Sequence, residues 1–282
     1  MSIVGLEHEY IVRRGETVVD FRALLHDLAV PGRRLDPGDP HAYRLRSGAA
    51  LTCDGAEAEI ATPPVDLAPG FVDAIDAWAR ASTAQLQSVL GAEHALEGVS
   101  THMSVEVPDE SAAAVAALFA RYFAPALMLL SDGIDSPGLL VRPRFGRVEL
   151  GTDYTSGPHR RAATALAVGG VLACFDAASR ARSVATLPRA MRTDFVPATS
   201  RWGWYVDRRA FGIDLYEHGR AARLRRARSL GHDCGQDVLD RSWSCARAAL
   251  AAFAAPSDLH DADVVVAASV PLPCEHDRGR RA

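Results

Sequence analysis

The chain has 282 residues, 48% of them hydrophobic and 23% charged, with a formal net charge of −4 at pH 7. This is the composition of a folded globular protein with room for one large or two small domains, and its acidic balance gives no sign of a nucleic-acid or anionic-membrane partner. All 31 basic residues are arginine, which excludes a Walker-A loop, a protein-kinase lysine and a Schiff-base lysine.

The absence of lysine and asparagine, with alanine and arginine abundant, fits a GC-rich genome. Along the chain, period-two alternation predicts strands near 2–13, 49–62, 96–107 and 138–153. Between the first two, residues 33–40 are rich in Gly, Pro and Asp and read as a surface loop that could reach over a site. Helices are expected at 69–90, 111–130, 158–182 and 236–253, with Asp109 or Ser111 capping the second and Pro158 in the first turn of the third. The most apolar stretches, 112–131 and 162–178, are interrupted by Arg121 and Pro125, or by Thr164 and Asp176, and read as buried helices rather than membrane spans. The aromatic and basic run 201–209 could stack a purine and hold its phosphates, but reads first as a partly buried amphipathic turn. The five arginines of 220–228 read as the solvated face of a helix. Residues 263–270 read as one more strand and 271–282 as a loose tail.

No secretory segment opens the sequence, because Glu7 and Glu9 interrupt any apolar run. The five cysteines are odd in number and lack Cys-x-x-Cys spacing, so a reduced, cytoplasmic compartment is expected. His232-Asp233-Cys234 with Cys245 could be drawn as a zinc site, but the same lack of spacing argues against it.

Four strands gather ionisable side chains on one face. In Gly5-Leu6-Glu7-His8-Glu9-Tyr10-Ile11-Val12, Glu7 and Glu9 point one way while Leu6, His8, Tyr10 and Val12 point the other, which makes His8 a packed core histidine. Glu57 and Glu59 share a face. His102, Ser104 and Glu106 oppose Met103, Val105 and Val107, and Arg147, Glu149 and Asp153 oppose Val148 and Leu150. A solvated sheet face alternates in the same way. Two Glu-x-Glu runs, however, set like charges side by side, and these repel unless a cation lies between them. Carboxylates beside arginines point to a divalent-metal and phosphate site, since Mg²⁺ takes hard oxygen ligands and guanidinium forks match phosphate oxygens.

The ordered segments Gly5-Leu6-Glu7-His8-Glu9, Asp54-Gly55-Ala56-Glu57-Ala58-Glu59-Ile60-Ala61-Thr62-Pro63-Pro64, His102-Met103-Ser104 and Arg142-Pro143-Arg144-Phe145-Gly146-Arg147-Val148-Glu149-Leu150 resemble the carboxylate–amine ligases. The likeness is to the glutamate–cysteine ligases of the bacterial and plant type, within the glutamine synthetase-like superfamily. It covers roughly the first half of the chain and rests on four motifs in order. It implies that Glu7 and Glu9 hold two Mg²⁺ (or Mn²⁺) ions, that Glu59 is a metal ligand near the amine-side substrate, and that Glu57 is a secondary candidate. His102 would serve the metal and the ATP phosphates, Glu149 would complete the phosphate-side metal site, and Arg142 and Arg144 would handle the transferred phosphoryl group. The sequence departs from the family pattern at Ser104, where an Asn is common, and at Gly151, where many relatives have an arginine. It is also shorter than most members.

The resemblance implies an α+β, glutamine synthetase-like fold over 1–270: a curved, mostly antiparallel sheet with a concave active-site face and helices packed outside. It implies an ATP-dependent ligase that joins a small-molecule carboxylate, such as glutamate, to an amine through an acyl phosphate, with a homo-oligomeric state left open. Two other readings stand beside it. One is a metal-dependent amide hydrolase, as in relatives of the pupylation system. The other is a binding or scaffold protein with reduced catalysis.

Overall fold

The computed structural model describes residues 2–179, 187, 193–227 and 231–276. Its frame is a 12-stranded sheet in which neighbouring strands pair antiparallel. Central β1 (Ile3–Arg14) lies between β8 (Ala95–Glu106) and β6 (Glu57–Ala61). Beyond β8 come β10 (Arg147–Asp153), β9 (Leu139–Arg144), β12 (Gly203–Val206) and β11 (Ala198–Ser200). Beyond β6 come β5 (Ala50–Asp54), β4 (Tyr43–Leu45) and β3 (Gly32–Arg34). Two short strands, β2 (Thr17–Val19) and β7 (Val65–Asp66), pair with opposite ends of β1. The expected class, a large antiparallel sheet backed by helices, is the one observed.

One face of the sheet is buried by helices because its alternate residues are apolar. Val4 and Leu6 of β1, Met103 and Val105 of β8, and Val148 and Leu150 of β10 share a core with α2 (Phe71–Leu90), α3 (Asp109–Tyr122), α4 (Ala124–Ser131) and α5 (Gly157–Ser179). A second cluster joins Tyr10, Val12, Leu51 and Ile60 to Phe21 of α1 (Phe21–Leu24) and to Leu86. By length and composition α5 could cross a membrane, yet it packs among α3, α4, α7 (Gly235–Leu250) and α8 (Pro256–Val266), as a core helix does, while the short α6 (Leu215–His218) lies against α4. Gly169 permits this closeness: a Cβ there would stand 2.5 Å from the Ala246 carbonyl oxygen.

Several local expectations are corrected. The helix expected at 111–130 is two helices that meet at a 68° bend, because Pro125 supplies no N–H and its ring disfavours helical backbone just before it. Neither Asp109 nor Ser111 caps α3: Pro108 is the capping residue, and Asp109 accepts from the Gly146 N–H instead. The strand expected at 263–270 is instead the end of α8, which Pro256 starts and whose Val265 and Val266 are buried, followed by a turn. Where a helix was expected at 220–228, the chain makes a short 3₁₀ turn, then β13 (Arg223–Arg225), paired with β14 (His232–Cys234); 228 lies outside the described residues. There Leu224 is buried between exposed Arg223 and Arg225, the period-two signature of a strand.

Arg220 is not on a solvated face either. It donates to the carbonyls of Val265, Val266 and Val270 and pairs with Glu275. The expected loose tail is pinned at its start, since Leu272 and Cys274 are buried; 277–282 lie outside the described residues. Residues 201–209 form the β11–β12 turn, β12 and the chain just after it.

Asp258 ties α8 to the start of α2. Its buried carboxylate accepts from the N–H groups of Gly70, Val72 and Ala255 at 2.7–2.8 Å, which satisfies donors that a helix start leaves free. Asp258→Ala is expected to destabilise the protein by about 3 kcal/mol, and Asp258→Asn by less, because charge-assisted bonds to buried donors would be lost. Urea unfolding of both variants measures this; an unchanged midpoint for Asp258→Ala would contradict the role.

Candidate active site

Strand register decides which side chains meet. Glu7 lies opposite His102, and His102 opposite Gly151; Gly5 lies opposite Ser104, Ser104 opposite Glu149, and Glu149 opposite Arg142. Glu9 faces Ser100 on one side and Glu59 on the other, while Arg147 lies between Glu106 and Arg144. Residues directly opposite in an antiparallel pair point to the same face. Glu7, Glu9, Glu59, His102, Arg142, Arg144 and Glu149 therefore all stand on the face opposite the helical core, with Glu57 beside Glu59. Four strand spacings of 4.7–4.9 Å separate β6 from β9, or about 19 Å.

That face is polarised. On β6 and β1 the carboxylates of Glu57, Glu59, Glu7 and Glu9 crowd together, and at the other end the guanidiniums of Arg142, Arg144 and Arg147 converge. His102 stands between, its Nδ1 3.7 Å from Glu7 Oε2 and its Nε2 3.9 Å from Glu9 Oε1. The Ser100 hydroxyl donates to Glu9 Oε2 at 2.5 Å. Burial and the Glu7 charge push the Glu59 carboxyl up to about 7. Burial also pushes Glu7 upward, but hydrogen bonding and charge from His102 outweigh it, and Glu7 ends below its ordinary value. Glu59 thus keeps the proton that the hydrogen-bonded pair shares. Burial would lower His102, but the Glu7 hydrogen bond and the surrounding carboxylates raise it overall.

At the basic end, Glu149 is 2% exposed and gathers three guanidiniums. Arg142 Nη1 donates to Oε1 at 2.6 Å, Arg144 Nε donates to Oε2 at 3.0 Å, and Arg147 Nη2 stands 3.8 Å from Oε2. Arg142 also lies over the Trp202 ring, 5.3 Å from its centroid, on the neighbouring hairpin. The selection of site residues missed Ser100 and Arg147, although a signal existed: each sits two residues before a chosen one, on the same strand face.

The donors suit a hard divalent cation, since they are carboxylate oxygens and an imidazole crowded until two acids share a proton. There is room as well. A Cβ at Gly5 would meet nothing within 4 Å, and the buried hydroxyl of Ser104 beside it has no hydrogen-bond partner among the described residues. Among the described residues, however, no three His, Cys, Asp or Glu side chains are set to hold one ion as they stand. Glu149 in particular is held by arginine. The departure at Gly151 has a steric reason, because a Cβ there would lie 3.2 Å from the His102 ring. His8, on the other face, is buried as expected, and burial together with the Arg160 charge lowers it to about 3.

Glu59 sets a pH dependence in the cation-free protein. With a folded-state pKa near 7 against an ordinary 4.5, its contribution is full below about pH 4.5 and is lost as pH rises through 7. Glu59→Gln, which is uncharged throughout, is therefore expected to gain on wild type by on the order of 2 kcal/mol between pH 4.5 and 8 in the presence of chelator. Urea unfolding at the two pH values tests this, and a pH-independent difference would show that the carboxyls do not share a proton.

No family model matches the sequence, and no curated protein matches it. Among solved structures, the chain is similar to the crystal structure of the complex between the prokaryotic ubiquitin-like protein Pup and its ligase PafA, at TM-score 0.50 and 11% identity. The match covers 93% of this chain and 62% of the other, so this chain spans about three fifths of the length of its structural neighbour. At that identity the likeness speaks for the fold alone, a glutamine synthetase-like one with a large antiparallel sheet backed by helices.

Proposed function

We propose that the chain is an ATP-dependent carbon–nitrogen ligase that joins a carboxylate to an amine. The observation that carries the reading is the arrangement of one sheet face, with glutamates crowded on β6 and β1 and Arg142, Arg144 and Arg147 gathered about Glu149 on β9 and β10, on a fold shared with a ligase. A carboxylate is a poor acylating agent, and passing the ATP γ-phosphoryl group to it gives an acyl phosphate that an amine can attack. Such transfer asks the protein for positioning and for cancellation of oxygen charge. Glu7, Glu9, Glu59 and His102 would hold Mg²⁺ or Mn²⁺, whose chemical contribution is to neutralise phosphate oxygens.

Arg142, Arg144 and Arg147 supply the cationic donors that a lysine-free chain must draw from arginine. Glu149 keeps these three together and extended toward the face. With ATP bound, these arginines would serve its phosphate oxygens, and Glu149, once released, would be available as a metal ligand.

The acid is the open choice. Resemblance of the motifs favours a free amino acid such as glutamate. The structural neighbour is the ligase of a protein, Pup, which supports a carboxylate carried on a protein instead. A metal-dependent hydrolase would use the same acidic end without consuming ATP, and a scaffold would bind without turnover. Five free thiols fit a reducing compartment, and we place the chain in the cytoplasm on that ground.

Oxygen-18 in the substrate carboxylate separates these readings. Acyl-phosphate chemistry carries the label into released phosphate, whereas amide formation without transfer would rule out this mechanism. Glu9→Gln keeps the shape and removes one charge, so metal affinity and turnover are expected to fall together. Arg144→Ala is expected to cost about 2.7–4 kcal/mol of transition-state stabilisation, or two to three decades of rate, as for loss of one oxyanion donor. Steady-state kinetics checks both, and wild-type rates in either variant would reassign that end of the face.

A further inference from the structure

A cavity of about 790 Å³ opens on the helix side of the sheet, bounded by α2, the start of β8 and the start of α5. It lies across β1 from the acidic face, because Tyr10 lines it while its neighbour Glu9 points the other way. Its volume is in the range of sites that enclose a small organic molecule. We propose that this cavity is a binding site for a small aromatic carboxylate, separate from the ligase face.

Two features of the wall specify that chemistry. The first is flat apolar surface. The rings of Tyr10 and Tyr154 line the cavity with centroids 5.5 Å apart and planes at 60°. Tyr154 is seated directly on Gly98, where a Cβ would come within 2.3 Å of the ring, so only a missing side chain lets the tyrosine lie there. Tilted rings of this kind receive the face or edge of another aromatic ring.

The second feature is unbalanced positive charge. Arg160, 4% exposed, donates from Nε and Nη2 to Asp76 Oδ1, and Nη1 takes no part in those bonds. Arg80 Nε donates to Asp76 Oδ2 at 3.0 Å from the rim, with its side chain 69% exposed. The wall therefore sets two guanidiniums against one carboxylate. A single carboxylate on a ligand balances that count and offers two oxygens to guanidinium donors. A neutral ligand leaves the excess in place, and a cation is repelled by it.

Calorimetry of the full chain with 1-naphthoate as probe tests this. One saturable site is expected, with 1-naphthamide bound at least about tenfold more weakly. Arg80→Gln should weaken naphthoate roughly three- to tenfold and leave naphthamide unchanged, as for loss of one largely exposed charge. Ala84→Trp, which fills the cavity from α2, should abolish both, and thermal melting confirms that each variant is folded. Absence of saturable naphthoate binding, or equal affinity for naphthamide, would overturn the proposal. So would binding that Arg144→Gln weakens and Arg80→Gln does not, since the probe would then sit on the ligase face. Failure here leaves the ligase reading intact, because neither Arg80 nor Ala84 belongs to that face.

Discussion

The pairing of β1 with its two neighbours is the constraint on which the rest depends. A strand alternates faces at every residue, so a one-residue slip would send Glu7 and Glu9 into the helical core and bring Leu6, His8 and Tyr10 to solvent. Burial of Leu6, Tyr10 and Val12 at 2% exposure or less makes that slip very costly. The same register that buries the apolar set places Glu9 between Ser100 and Glu59, and Glu7 beside His102. Here the packing of the core and the geometry of the candidate site are one specification, written in alternate residues.

Charge on the exposed face is arranged at some energetic cost. Four glutamates on two adjacent strands repel, and the protein relieves this by letting Glu59 hold a proton and by drawing His102 toward its charged form. At the far end three guanidiniums would repel in the same way, and Glu149 holds them together. Each end is compensated internally, yet each is also a preformed counterpart for an ion of opposite sign.

Much of this was legible from residues alone, and the exceptions have physical causes. The central strands announced themselves because one face is buried and the other is not, which gives a clean period of two. The register of β9 and β10 was not read in advance within the strand expected at 138–153, although the short turn at Phe145-Gly146 pairs Arg144 with Arg147 and so brings Arg142 to Glu149. The consequence, that Glu149 is wrapped by arginine rather than free for a metal, follows from side-chain reach and needed coordinates. Pro125 could be seen in the sequence, but apolar residues on both sides masked the break it causes. In α8 the valines argued for a strand, and Pro256 with the Asp258 cap overrode that propensity. The arginines around Leu224 gave too short an alternation to distinguish a three-residue strand from a helix face.

The central claim is that one end of this sheet face takes a divalent cation and the other takes phosphate. Crystals grown with Mn²⁺ and a non-hydrolysable ATP analogue, measured at the manganese absorption edge, test it most directly. The account predicts an anomalous peak within coordination distance of Glu7, Glu9 or Glu59, with the analogue's phosphates against Arg142 and Arg144 and Glu149 released from at least one of them. Manganese absent from that face, or phosphates seated elsewhere with the arginines still closed on Glu149, would contradict it.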